Sequence, residues 1–210
     1  MEARSKWISG ITAASLTGLV VMTLGVAIVH GQAQHVRWDI TISSLTVPPV
    51  FTPGGVAFAS ARNGGAPSGL MIELTGSGAF VAPASGGESG AVTGGGTWQT
   101  FSGCPSACLS TGSGTYSVTK LASWEFANLW TAGIVIDNVD PGFPAASGNT
   151  VLRIHYSDGS DGILGVGCHG PGAPDGIHEG VIATKNYVTY WDSGAPVAGV
   201  NGNRTAFHLE

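Results

Sequence analysis

The sequence predicts an all-β domain, a single antiparallel sandwich or barrel, rich in glycine and preceded by an N-terminal signal segment. Three observations carry this reading. The 34 glycines and 11 prolines among 210 residues break the chain too often for long helices. Apolar and polar residues alternate over several short runs. Beyond residue 33, no window of 11 or more residues shows a helical stripe with caps. Hydrophobic residues make up 43%, enough to bury a core, while charged residues are only 10%. That balance excludes a highly charged disordered tail and a long coiled coil. Collagen is excluded because glycine does not recur at every third position.

The first element is an export signal. Arg4 and Lys6 precede an uncharged run from Trp7 to Val29, whose densest apolar part, Leu16–Val29, has 14 residues. Gly31 and Ala33 then place small residues where a signal peptidase reads the chain. Cleavage after Ala33 is expected, giving a signal peptide over 1–33 and a mature domain over 34–210. The alternative is an uncleaved anchor, with membrane contact only through residues 7–29, because 23 uncharged residues can span a bilayer. Five Ser/Thr and three Gly in the run weigh against the anchor. The mature chain keeps 6 basic and 12 acidic residues, a net charge of −6. It offers no electrostatic attraction to nucleic acid. The expected location is secreted or periplasmic.

The remaining elements read as strands and turns. Val36, Trp38, Ile40 and Ile42 alternate with Arg37, Asp39, Thr41 and Ser43, the period of a half-buried strand. Pro48 and Pro49 end it. Strands are expected around Val56–Ala61 and through Leu70, Ile72 and Leu74. Val151–Tyr156 and Ile163–Cys168 flank a Ser/Asp/Gly turn and read as a hairpin. Ile177–Thr184 and Tyr187–Trp191 flank Lys185-Asn186 and read as a second one. Arg204–Leu209 is expected to close the sheet. Ser123–Trp130 is the single candidate for a helical turn, although Phe126 could equally end a long strand. The expected total is eight to eleven strands.

One motif recurs every 18 residues. Thr75-Gly-Ser-Gly-Ala-Phe80 is echoed by Thr93-Gly-Gly-Gly-Thr-Trp98 and by Thr111-Gly-Ser-Gly-Thr-Tyr116. Gly, Gly and aromatic stand at i, i+2 and i+4, so in a strand they share one face. The architectural reading is rings lying across bare backbone, as in curved sheets. The functional reading is a glycine-floored groove with Trp98 and Tyr116 as a ligand-stacking platform.

Cys104 and Cys108 are expected to form a small disulfide loop that pins a turn in an exported protein, leaving Cys168 unpaired. The densest polar chemistry lies from Cys168 to Glu179. Its first reading is a Pro/Gly-rich connection with surface histidines. A catalytic reading would use His169, Asp175 or His178, with Cys168 or a serine as nucleophile. A metal reading would use Cys168 and His169, either with Cys104 and Cys108 or, in a second set, His169 with His178 and Glu179. The spacing matches no standard zinc pattern, no cofactor is expected, and alternation sets His178 and Glu179 on opposite faces. Asp158 and Asp161 read as a hairpin turn before calcium ligands. An exposed pair among the mature chain's five tryptophans would suggest sugar stacking. Asn203-Arg204-Thr205 matches the N-glycosylation sequon.

The segments VRWDI, LTGSGAF, GGGTW, GSGTYSV, VLRIHYSDG, GVGCHGPGAP, EGVIATK and NRTAFH together resemble a group of small exported bacterial β-rich proteins with no known activity. The resemblance covers most of the mature chain. It implies bacterial export and a β-rich domain, and it carries no site residues. The Gly-x-Gly-aromatic units are also superficially similar to dirigent and allene-oxide-cyclase-like barrels. The other motifs of those families are not evident here, so nothing is transferred from them. The function expected is that of a non-enzymatic binding or structural protein of the envelope or extracellular space. Its partner would be a small molecule, a glycan or an envelope component. The alternative is a secreted hydrolase, a barrel isomerase or a metal-binding protein that uses the Cys168–Glu179 loop.

Overall fold

Fourteen strands and no helix occupy the described residues of the computed structural model, which are 33–83 and 87–210. The expected signal segment lies outside them up to residue 32. The strands are β1 (Gln34–Ser43), β2 (Val50–Pro53), β3 (Ala57–Asn63), β4 (Ala66–Leu74), β5 (Ser77–Ala82), β6 (Val92–Ser102) and β7 (Leu109–Leu129). They continue as β8 (Ile136–Asp137), β9 (Ala145–Tyr156), β10 (Asp161–Cys168), β11 (Gly180–Lys185), β12 (Val188–Tyr190), β13 (Asp192–Ser193) and β14 (Gly199–Leu209).

Following the pairings from β6 to β7, β9, β14, β1, β5 and back to β6 returns to the start, so the sheet closes as an antiparallel barrel. Alternation fills its interior with Val36, Trp38, Ile40, Phe80, Leu121, Leu152 and Phe207, all buried. Two strands serve two neighbours along one edge. β9 pairs with β14 at Ala145 and Ala146, then with β10 from Gly148 to His155. β6 pairs with β5 through Gly95, then with β4 from Trp98. The outer strands β10–β11–β12 and β4–β3–β13 extend from these forks. They meet because β12 continues through Trp191 into β13, which pairs with β3. Leu164, Val166, Val181, Ala183 and Tyr190 face Ala57, Ala59, Ile72 and Leu74 within the same core.

Several sequence expectations need correction. The strand total exceeds eleven because short segments at the forks and corners pair separately. Ser123–Trp130 is not a helical turn. Ser123–Leu129 completes the 21-residue β7, whose register shifts three times against β9 and so bends around the barrel. β11 begins at Gly180 rather than Ile177, because Ile177–Glu179 belongs to the preceding connection. Both hairpins form as expected, and Asn186 takes the left-handed φ of 53° that the second turn demands.

The three repeat units fall on β5, β6 and β7, which are successive neighbours. Their glycines leave room for rings. Trp38 pairs with Gly78, Tyr116 with Gly96 and Trp98 with Gly114. A Cβ on Gly114 would stand 2.9 Å from the Trp98 indole nitrogen, and one on Gly112 would stand 3.3 Å from the same ring. Elsewhere the Trp124 ring covers Gly148, and the Tyr156 ring covers Gly162. Gly94, with φ of 118°, supplies a backbone shape that side-chain-bearing residues avoid.

The importance of this space is open to measurement. A Cβ on Gly78 would strike the Thr93 carbonyl and lie 2.8 Å from the Trp38 nitrogen, whereas Gly90 faces open space. Gly78→Ala is expected to lower unfolding free energy by about 2 to 3 kcal/mol, and Gly90→Ala to leave it within about 0.5 kcal/mol. Equal effects in denaturant titrations would contradict the packing account.

Candidate functional site

The Cys168–Glu179 connection leaves the sheet where β14 and β10 part from β9. Ser147 sits between the two pairings, fully buried, and its hydroxyl accepts a hydrogen bond from the Gly170 N–H at 3.2 Å. The Thr205 hydroxyl bonds the Gly167 carbonyl at 2.5 Å across the gap. Glu179 completes the closure. One carboxyl oxygen accepts the Thr205 N–H of β14 at 2.9 Å, and the other accepts the His169 N–H just past β10 at 2.6 Å. One side chain thus satisfies backbone donors from two diverging strands, which the fork would otherwise leave unpaired.

This junction forms one wall of a cleft of about 300 Å³. Ser43 and Ser44 at the end of β1, Phe51 of β2, and Trp130 and Val135 after β7 form the rest, together with Arg204 of β14. The Phe51 and Trp130 rings meet edge to face at 5.3 Å. Trp130 is anchored by its backbone N–H to the Ala145 carbonyl, and the Thr131 backbone N–H binds the Pro171 carbonyl. The walls are therefore fixed by backbone bonds. Among the described residues Arg204 forms no ion pair, and its buried Nε has no hydrogen-bond partner.

Burial pushes the Glu179 carboxyl up to about 7, although the Thr205 and His169 amides and the Arg204 charge pull the other way. Glu179 is half-buried and lines the cleft. Burial pulls the His178 imidazole down and pushes the Cys168 thiol well up. A carboxyl that changes charge near neutrality beside an unpaired guanidinium can bind a polar ligand in a pH-dependent way.

The other expected site residues fall in different places. His169 lines the cleft. His178 packs its ring against Gly167, and Asp175 is exposed in the connection, so neither joins Glu179 at the cleft. Cys104 and Cys108 are joined as a disulfide with Cα atoms 4.5 Å apart, and Cys168 is a buried free thiol ending β10. The four-ligand Cys/His set therefore does not assemble. Among the described residues no three His, Cys, Asp or Glu side chains gather to hold a metal. Trp98 and Tyr116 are each 5% exposed and pack in the core, with Tyr116 donating to the Thr75 carbonyl, while an edge of Trp98 lines a second cleft with Thr100, Lys185 and Tyr187.

Asp158 and Asp161 are committed elsewhere. Asp158 takes the Ser160 N–H and hydroxyl on one oxygen and the buried Lys185 ammonium on the other, which holds its carboxyl down at about 2. That ammonium also lies over the Trp98 and Tyr156 rings, 4.0 and 4.3 Å from their centroids. Asp161 pairs with His155 at 2.8 Å. Asn203 of the sequon is fully buried, bonding the Phe58 N–H and the Ala195 carbonyl, so the folded chain cannot accept a glycan there. The most exposed aromatics among the described residues are Tyr187 and Trp191, 95% and 67% exposed, at either end of β12.

The cleft and fold define a closed antiparallel β-barrel carrying a side pocket at a sheet fork. Comparisons with protein-family models, with curated proteins and with solved structures each found no match.

Two outcomes follow from the titrating groups. Between about pH 4.5 and about pH 7, Glu179 is protonated when folded and ionised when unfolded, so unfolding releases a proton and stability falls as pH rises across that window. Denaturation at a series of pH values should show a fall of up to about 3 kcal/mol, levelling above pH 7. Glu179→Gln should flatten the slope while lowering stability throughout, since an amide cannot accept both backbone N–H groups. In thiol titration the unfolded protein should show one reactive cysteine and the native protein none, because Cys168 is fully buried. A native protein that reacts would place Cys168 within reach of solvent.

Proposed function

We propose that the protein is an exported, non-enzymatic binding protein of the envelope or extracellular space, with its ligand site in the cleft beside the Cys168–Glu179 connection. The observation that carries this reading is Arg204: a guanidinium that forms no ion pair among the described residues and lines a preformed cleft. A guanidinium in a partly buried wall is ordinarily paired, so one that lines a cleft without an ion pair points to an anion supplied from outside. Export is supported by the charged-then-apolar start of the chain, and the Cys104–Cys108 disulfide is compatible with an oxidising compartment.

The near-neutral carboxyl of Glu179 favours a second reading, a secreted hydrolase or barrel isomerase that uses it as acid or base. Binding is preferred over catalysis on the geometry of that same group. Both Glu179 oxygens already accept backbone hydrogen bonds, and Cys168 is enclosed with its thiol pushed up, away from the thiolate a nucleophile needs.

Amide chemical shifts of the full chain locate the site. Titration with benzoate, benzamide, indole, N-acetylglucosamine and phosphate is expected to move Ser44, His169, Gly170 and Thr205. Shifts confined to Tyr187 and Trp191 would replace this reading with a surface aromatic site, and shifts nowhere would remove it.

A further inference from the structure

Resting on the cleft as the ligand site, we infer that its ligand is a small amphipathic organic acid, its carboxylate held by Arg204 and its apolar body laid against Phe51, Trp130 and Val135, with the charge state of Glu179 setting the affinity. Charge is the first argument. Arg204 is not neutralised by Glu179: the two make no ion pair, and the Glu179 oxygens are occupied by Thr205 and His169 N–H groups. An incoming anion is thus the group that would complete the guanidinium, and a carboxylate matches its planar fork.

Shape is the second argument. The remaining walls are largely apolar, with Phe51, Trp130, Val135, Pro49, Pro171 and Ala198 around about 300 Å³, the small end of ligand pockets. A bare inorganic anion would leave that surface wet, whereas a carboxylate on one ring or a short chain fills it. The serine hydroxyls do not compete for the anion. Ser44 Oγ already serves Thr46 and the Val50 N–H, and Ser43 Oγ turns to the Ser44 carbonyl.

Linkage to protons follows from what faces Glu179. Arg204 comes from β14, His169 from the connection, and Cys168 from the end of β10, while His178, next in the chain, turns to Gly167. Burial brings the Glu179 carboxyl to about 7. Below that pH the cleft presents Arg204 beside a neutral carboxyl, and above it a second negative charge opposes the ligand.

Calorimetry on the full chain tests this with benzoate and its neutral isostere benzamide, near pH 6 and near pH 8. Benzoate is expected to bind about fivefold or more tightly at the lower pH, and benzamide to bind weakly at both. Arg204→Gln should abolish benzoate binding with unchanged near-ultraviolet dichroism, and His169→Asn should retain the pH step. Equal binding of benzoate and benzamide, equal benzoate affinity at the two pH values, or loss of the step in His169→Asn would each overturn the inference. The wild-type arms need no variant to fold. If indole still moves cleft amides while benzoate shows no advantage, the acid ligand fails and the cleft survives as a binding site. If no compound moves them, both fail.

Discussion

Rings laid over bare backbone hold this molecule together. Trp38 over Gly78, Trp98 over Gly112 and Gly114, Tyr116 beside Gly76, Trp124 over Gly148 and Tyr156 over Gly162 recur on successive strands of the barrel. A glycine within a strand costs stability through its lost entropy and absent side chain. A neighbouring ring restores the missing contact and adds large apolar area. Small curved barrels need both the space and the bend, and the glycine–aromatic pairing gives both. The same rings hold the most enclosed Lys or Arg among the described residues: Lys185 lies over two of them and pairs with Asp158.

The barrel positions the cleft through its forks. A closed ring with extra strands must let one strand serve two neighbours, and each such point leaves backbone donors without partners. At the β9 fork the chain answers with Ser147, Thr205 and Glu179. The carboxylate that seals the sheet is therefore the same one that charges the cleft. Structure and electrostatics are coupled here in one residue, and the connection that delivers it is long because it must cross the gap.

Much of the architecture was legible from local signals. Period-2 alternation located β1, the Asp-Gly turn located the β9–β10 hairpin, and the 18-residue repeat marked three adjacent strands. The cysteine spacing anticipated the Cys104–Cys108 bridge. The Cys168–Glu179 connection was also visible as the densest polar segment, and it does border the cleft. What sequence reading missed were partners brought by topology. Arg204 sat inside an apparent glycosylation sequon, and only the fold shows Asn203 turned into the core and Arg204 into the cleft wall. Ser43, Phe51 and Trp130 are distant in the chain, with no local pattern that announces their meeting. Burial of Trp98 and Tyr116 was likewise not legible, because a ring beside glycine looks alike whether it faces solvent or interior.

The passage of β12 through Trp191 into β13 has a consequence for how the sheet ends. Strands paired on one side only are β8, β12 and β13, of two, three and two residues. Exposed sheet edges recruit other chains, and short ones recruit poorly. The long β7 differs: β6 pairs with it over Leu109–Ser117 and β9 over Tyr116–Leu129, so most of its length has one strand neighbour. The corner at Trp191 thus ends the outer sheet in rims of only three and two residues, too short to template a further strand.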